Sequence, residues 1–263
     1  MFLENCCYGR REMMVLNMVK KGVFGEIVHC SGGYRHDLRT EVGYGRENRH
    51  YRLDEYLTRN CENYPTHELG PIAQVLDINR GNRFLSLTAT ASKAAGMHDY
   101  ILRHKPEDET LKKAVFAQGD VVTTVIKCAR GETVTLTLDT TLPRFYSRDF
   151  RVQGTKGLYE EATDSVYLDG MGEHWNWKPN WGNAAEFVEK YEHEVWKKYI
   201  AEGVQGGHDG MDYLVYNEFF DCVRENRTMP IDVYDAAAWM SITPLSEKSI
   251  SDGSVPVAVP DFC

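Results

Sequence analysis

The stretch 120–142, DVVTTVIKCARGETVTLTLDTTL, decides the fold. Valine, isoleucine and threonine alternate with their neighbours on either side of Arg130-Gly131, the pattern of two half-buried strands joined by a tight hairpin turn. Two more runs carry the same pattern, FLSLTATAS at 84–92 and DFRVQGT at 149–155. Together these four runs predict an antiparallel meander. Outside them the period changes from two to about 3.6, the helical spacing.

Before the strands, residues 9–21 place Met13, Met14, Leu16, Met18 and Val19 at helical spacing, with Gly22 as the stop. EIVHCSGGY then alternates as a strand, and the Arg-rich passage from Arg35 to Arg59 reads as loop. A helix opens between Pro65 and Pro71, runs through Ile72, Val75 and Leu76, and is expected to close at Gly81. Residues 93–117, with the polar run RHKPEDETLKK, read as an exposed insertion. Helices return at 184–201 and at 210–225, where Met211, Leu214, Val215, Phe219, Cys222 and Val223 share a face. Asp232 is placed to cap DVYDAAAWMSIT, and Pro244 to kink or interrupt the helix that continues toward Ile250. Strands bracketed by helices define an α+β fold, a predominantly antiparallel open sheet with helices on one face, in one domain spanning 1–263.

Composition narrows the function. The 263 residues carry a formal charge of −9 with no long basic run, so there is no electrostatic footprint for nucleic acid. No apolar stretch approaches the roughly 18–20 residues needed to span a bilayer. The seven cysteines lack any C-x-x-C spacing, which signals neither a disulfide framework nor a metal site and predicts reduced, buried thiols. MFLENCCYGRR has no basic-then-apolar export pattern; the chain reads as beginning inside a domain and, as it stands, as cytoplasmic, with any targeting signal upstream.

Several motifs are tested and fail. A dinucleotide fingerprint needs Gly at i, i+2 and i+5, but Gly43-Tyr44-Gly45 is followed by Asn48, and Gly170-Met171-Gly172 by Trp175. His67-Glu68 cannot open a zincin helix, because Pro71 stands where the second histidine belongs. EGVQGGHDG reads as a helix-entry turn before it reads as an anion nest, and the 39 acidic residues offer no unique carboxylate pair for ordinary glycoside hydrolysis. HWNWKPNW at 174–181 would put Trp175 and Trp177 on one face if extended, equally suited to a sugar ring and to packing. The most pointed feature is ENYPTHELGPIAQVLDINRG at 62–81, which gathers Tyr64, Thr66 and His67 around Pro65 at a loop-to-helix junction.

The segments LENCCYGRREMM, VKKGVFGEIVHCSGGYRHD, ENRHYR, NYPTHELGPIA, GGHDGMDY and PIDVYDAAAWMSITPLSEKSI, with SVPVAVPDF at the end, occur in this order. Nearly the whole chain thereby resembles the C-terminal domain of glycoside hydrolase family 109, within the Gfo/Idh/MocA oxidoreductase superfamily. The resemblance implies an NAD-dependent α-N-acetylgalactosaminidase, the cofactor held by an N-terminal Rossmann domain that this chain lacks and the sugar held by the domain at hand. In the implied cycle a hydride leaves C3, the ketone acidifies the C2 proton, the C1 substituent is eliminated, water adds and the ketone is reduced again. By motif position the resemblance implies His67 as general base and Tyr34 as assisting acid/base. It also implies sugar contacts from Glu4 as an acceptor, Arg52 as a donor and Tyr64. No metal is implied. The stretch between Tyr34 and Arg52 is shorter than the resemblance leads one to expect, which bears on sugar specificity.

Two other readings compete. The same pocket would serve a sugar dehydrogenase of the superfamily, and the missing nucleotide site would suit a non-catalytic domain that binds sugar or a partner chain. In every case the open face of the sheet is expected to pair with a second copy.

Overall fold

In the computed structural model, which describes residues 1–172 and 175–262, eight strands form one sheet in the order β7-β6-β5-β1-β4-β3-β2-β8. They are β1 (Ile27–Arg35), β2 (Phe84–Ala91), β3 (Val121–Cys128), β4 (Thr133–Asp139), β5 (Arg151–Gly154), β6 (Gly157–Glu160), β7 (Ser165–Leu168) and β8 (Val257–Ala258). The hairpin at Arg130-Gly131 forms as its sequence dictates, with Gly131 at φ 108°, where a side chain would be strained. Strands β2, β3 and β4 run as the expected meander.

The fourth run does not continue it. Strand β1 lies between β4 and β5, parallel to β4 and antiparallel to β5. The connection at 140–150 contains Pro143 and no strand, so β4 and β5 are not held together by a tight turn and the N-terminal strand fills the gap. The sheet is therefore mostly antiparallel with one parallel pair.

On β3 and β4, Val122, Ile126, Cys128, Val134, Leu136 and Leu138 are buried while Thr123, Val125 and Lys127 are exposed. The helices cover the first face. The N-terminal helices are α1 (Arg10–Lys20), α2 (Arg39–Gly43), α3 (Gly45–Asn48), α4 (Arg52–Thr58) and α5 (Thr66–Val75). Next come α6 (Gly96–His104) and α7 (Glu109–Lys113), then α8 (Ala184–Tyr191), α9 (Glu194–Glu202), α10 (Met211–Glu225), α11 (Val233–Met240) and α12 (Ile242–Ser251).

Four local expectations change. The passage 35–59 forms three short helices rather than loop, because Leu38, Val42, Leu53 and Tyr56 need burial. They find it against 93–117, which is not simply an exposed insertion: Met97, Tyr100, Ile101 and Leu111 of α6 and α7 complete the same apolar cluster at one end of the sheet. The segment 184–201 is two helices, broken at Glu192 and His193, whose imidazole accepts from the Val195 N–H and caps α9. Helix α5 ends at Val75 rather than at Gly81, after which Asp77 and Asn79 adopt left-handed φ. At the other end Asp232 caps α11 in a full capping box with Asp235, and Pro244 sits in the first turn of α12.

Candidate functional site

The site begins with a short 3-10 turn, Asn5–Tyr8, capped by Glu4, whose Oε1 accepts the Cys6 N–H at 3.0 Å. Helix α5 lies directly on this turn at Gly70, where a Cβ would stand 2.9 Å from Cys7 Sγ and 3.1 Å from Glu4 Cγ. Gly32 allows the same close approach of α5 to β1, since a Cβ there would meet Glu68 Cβ at 2.9 Å. Two missing side chains thus bring the first turn of α5 against both the capped turn and the sheet.

That placement gathers the residues expected from sequence. His67 Nδ1 comes to 2.8 Å from Glu4 Oε1. Tyr34, near the end of β1, has its ring centroid 4.5 Å from Tyr64 and 5.6 Å from His67, and Tyr64 and His67 are 4.8 Å apart. Arg52, in the first turn of α4, lays its guanidinium 5.1 Å from the Tyr64 ring and 5.1 Å from the Tyr51 ring. Its Nη1 donates to Glu41 Oε1 at 2.8 Å, and the same oxygen lies 2.6 Å from His50 Nε2.

Tyr34, Arg52, Tyr64 and His67 open on one cavity of about 370 Å³, within the common range for small-ligand sites. Glu4 does not line it; only 3 % exposed, it backs His67 from behind. Among the described residues, two other cavities are larger, at about 470 and 590 Å³. The first has its arginines already paired, Arg11 with Asp164 and Arg148 with Glu12, and the second lacks a comparable convergence of polar groups.

One further part of the cavity wall was not foreseen. His208 and Asp212, in GGHDGMDY, face the same cavity, with His208 Nδ1 2.8 Å from Asp212 Oδ2. Asn5 donates to the other carboxylate oxygen at 2.7 Å. His208 and Asp209 both adopt left-handed φ, 50° and 55°, a strained entry into α10 of the kind that accumulates at working sites. The signal was legible: a His and an Asp at i, i+4 spacing inside a glycine-rich helix entry. The tryptophans of 174–181 take no part in this wall. Trp175 and Trp177 are exposed and do not line the cavity, while His174 lies outside the described residues.

Electrostatics sort the groups by role. Burial pushes Glu4 up, but His67, Thr66 and the Cys6 N–H outweigh it and hold the carboxyl below its ordinary value, hence ionised. Asp212 is likewise pushed up by burial and brought below its ordinary value by His208 and Asn5. Burial raises Tyr34 well above a free phenol and raises Tyr64 too, so both are hydroxyl donors at neutral pH rather than bases. Behind this layer, fully enclosed, burial pushes Glu62 up to about 8 and raises Glu68 well above the ordinary carboxylate range, the neighbouring Glu62 and Glu4 charges adding to the latter.

The fold is shared with solved dehydrogenases. A levoglucosan dehydrogenase in complex with NADH and levoglucosan superposes with a TM-score of 0.64 at 16% identity, over 98% of this chain and 66% of its own. An inositol dehydrogenase homologue of Azotobacter vinelandii gives 0.58 at 12% identity, over 96% and 63%. The chain belongs to glycosyl hydrolase family 109, whose C-terminal domain matches residues 8–263. A glycosyl hydrolase family 109 protein of Parabacteroides distasonis is 43% identical over 99% of this chain and 59% of its own length. An alpha-N-acetylgalactosaminidase of Tannerella forsythia is 42% identical over 99% and 58%. The chain thus spans a little under three fifths of these two relatives. The dinucleotide that such relatedness implies finds no G-x-G-x-x-G turn among these residues.

Proposed function

We propose that this chain is the sugar-binding half of an NAD-dependent glycosidase acting on α-N-acetylgalactosaminides, with His67 as general base. One observation carries the reading: Tyr34, Arg52, Tyr64 and His67 line a single cavity together with a hydrogen-bonded His208–Asp212 pair. A nicotinamide bound by a family cofactor domain would supply a reversible hydride exchange at C3. With C3 at the ketone level the C2 proton becomes acidic, and that is where the side chains act.

His67 receives the C2 proton on the ring edge turned away from Glu4, and the ionised Glu4 steadies the imidazolium that forms. The C2–H electrons become the C1=C2 double bond as the C1–O bond breaks, and His208, steadied by Asp212, gives its proton to the departing oxygen. Water then adds at C1, giving its proton to His208, and the C2 proton returns from His67. Tyr34 and Tyr64, held neutral, donate to ring oxygens, and Arg52 orients the sugar from the side. The face of the sheet opposite the helices, lined by Thr123, Val125, Thr135 and Thr137, supports pairing with a second copy. Light scattering at tens of micromolar is expected to report an oligomer, and a monomer would refute that pairing.

The test joins a family cofactor-binding domain ahead of residue 1 and supplies NAD with an aryl α-N-acetylgalactosaminide. Release of the aryl alcohol without net NADH is expected. Accumulating NADH with intact aglycone would make the protein a sugar dehydrogenase, and the absence of both reactions on any aryl glycoside would overturn the reading.

A further inference from the structure

Behind His67 three donors of different chemistry converge. Glu4 offers a carboxylate oxygen, Cys6 its Sγ and His67 its Nδ1, and these atoms all lie within 4.8 Å of one another. Glu4 and Cys6 are almost fully buried, and the His67 Nδ1 atom is itself sealed from water. Nδ1 is 2.8 Å from Glu4 Oε1 as an ion-pair contact, yet it makes no well-aligned hydrogen bond of its own. A nitrogen thus lies close to an oxygen, with a sulfur at the third corner.

The arrangement is rigidly held. The Cys6 N–H pins the Glu4 carboxylate over the 3-10 turn, and the contact at Gly70 fixes α5, which carries His67. In a tetrahedral site with bonds of about 2.0–2.3 Å, neighbouring ligand atoms stand about 3.3–3.8 Å apart. The nitrogen and oxygen stand closer, at 2.8 Å, and all three donors lie within 4.8 Å, so small side-chain rotations suffice. One thiolate, one imidazole and one carboxylate select a borderline-soft metal over magnesium or calcium, which prefer all-oxygen shells.

We propose that Glu4, Cys6 and His67 form a binding site for a thiophilic divalent cation of the zinc class, with a fourth position left for water. Binding breaks the Cys6 S–H bond and forms a metal–sulfur bond, the proton passing to solvent, with no change of oxidation state. No spacing in the sequence announces the site, because its donors come from a turn and a helix far apart in the chain. Its consequence rests on the function proposed above: a cation held on Nδ1 takes up the Glu4 charge behind His67 and prevents the ring from acting as a base, so the metal acts as an inhibitor.

The site itself is tested on the 263-residue chain without reference to activity. Metal-free protein is titrated with Co²⁺ and followed by absorption. Expected is a sulfur-to-cobalt charge-transfer band saturating at one equivalent, abolished in Cys6→Ser and in His67→Ala but preserved in Cys7→Ser and His208→Ala. Absence of the band, or its survival in folded Cys6→Ser, would overturn the proposal. Should the Cys6 variant unfold by circular dichroism, zinc-edge X-ray absorption on the unaltered chain decides: one sulfur in the first shell supports the site, and a shell of nitrogen and oxygen alone refutes it.

Discussion

His67 Nδ1 stands 2.8 Å from Glu4 Oε1, joining the first turn of α5 to the residue that caps the opening turn of the chain. The buried, ionised Glu4 thus lies against one edge of the imidazole. In the protein joined to a family cofactor-binding domain, His67→Ala is expected to lower turnover by about 10²–10⁴-fold, the usual worth of a general base. Glu4→Gln, which removes only the charge behind the ring, should cost less in turnover. Unchanged turnover in Glu4→Gln would remove Glu4 from the mechanism.

Tyr34 is a donor by its environment, since burial raises the phenol far above neutral pH. Tyr34→Phe should therefore weaken binding of N-acetylgalactosamine, measured by calorimetry, without removing a basic limb from the activity profile. Loss of a limb near neutrality would instead make Tyr34 a base.

Arg52 lies between the Tyr51 and Tyr64 rings and donates to Glu41. Lysine keeps the charge but neither the planar stack nor the forked donors. Arg52→Lys is expected to raise KM about tenfold or more with a smaller effect on kcat, and an unchanged KM would show that the guanidinium does not touch sugar.

The buried Glu62 and Glu68 couple stability to pH. Their folded-state pKa values are raised, so each is protonated in the native state while its unfolded counterpart ionises above about 4.3. The stability they contribute is complete below that value and is lost as pH rises, for Glu62 through about 8, at up to about 1.4 kcal/mol per pH unit for each group. Denaturant melts should show the midpoint falling between pH 5 and 8, with Glu62→Gln flattening the slope. A slope unchanged in Glu62→Gln would contradict the assignment.

Gly70 lies inside α5, where alanine would ordinarily be better by about 1 kcal/mol. Here a methyl group would press on Cys7 Sγ, Glu4 Cγ and the Trp239 ring, the nearest 2.9 Å away. Gly70→Ala is expected to destabilise the protein by about 1–3 kcal/mol and to weaken sugar binding by displacing Glu4. A neutral or stabilising result would mean that the turn yields.

Much of this was legible in the chain because the signals are local. Period-two β-branched runs gave the strands β2, β3 and β4, Arg130-Gly131 gave their hairpin, and Asp232 gave the cap of α11. The family motifs carried Glu4, Tyr34, Arg52, Tyr64 and His67, and Pro65 at the loop-to-helix junction marked where two of them would meet. What alternation cannot encode is which strand lies beside which. The insertion of β1 between β4 and β5 is a matter of long-range pairing, and only the folded sheet shows it.

The same division holds within the site. Sequence singled out the side chains to which the chemistry is assigned and placed them on turns and helix starts, because caps, prolines and glycines act on their immediate neighbours. Tertiary structure decided that Glu4 stands behind His67 rather than on the cavity lining. It also decided that His208 and Asp212 return to the same cavity. Both depend on close approach between elements distant in the chain, of the kind that a missing side chain at Gly70 or Gly32 permits and that no local pattern records.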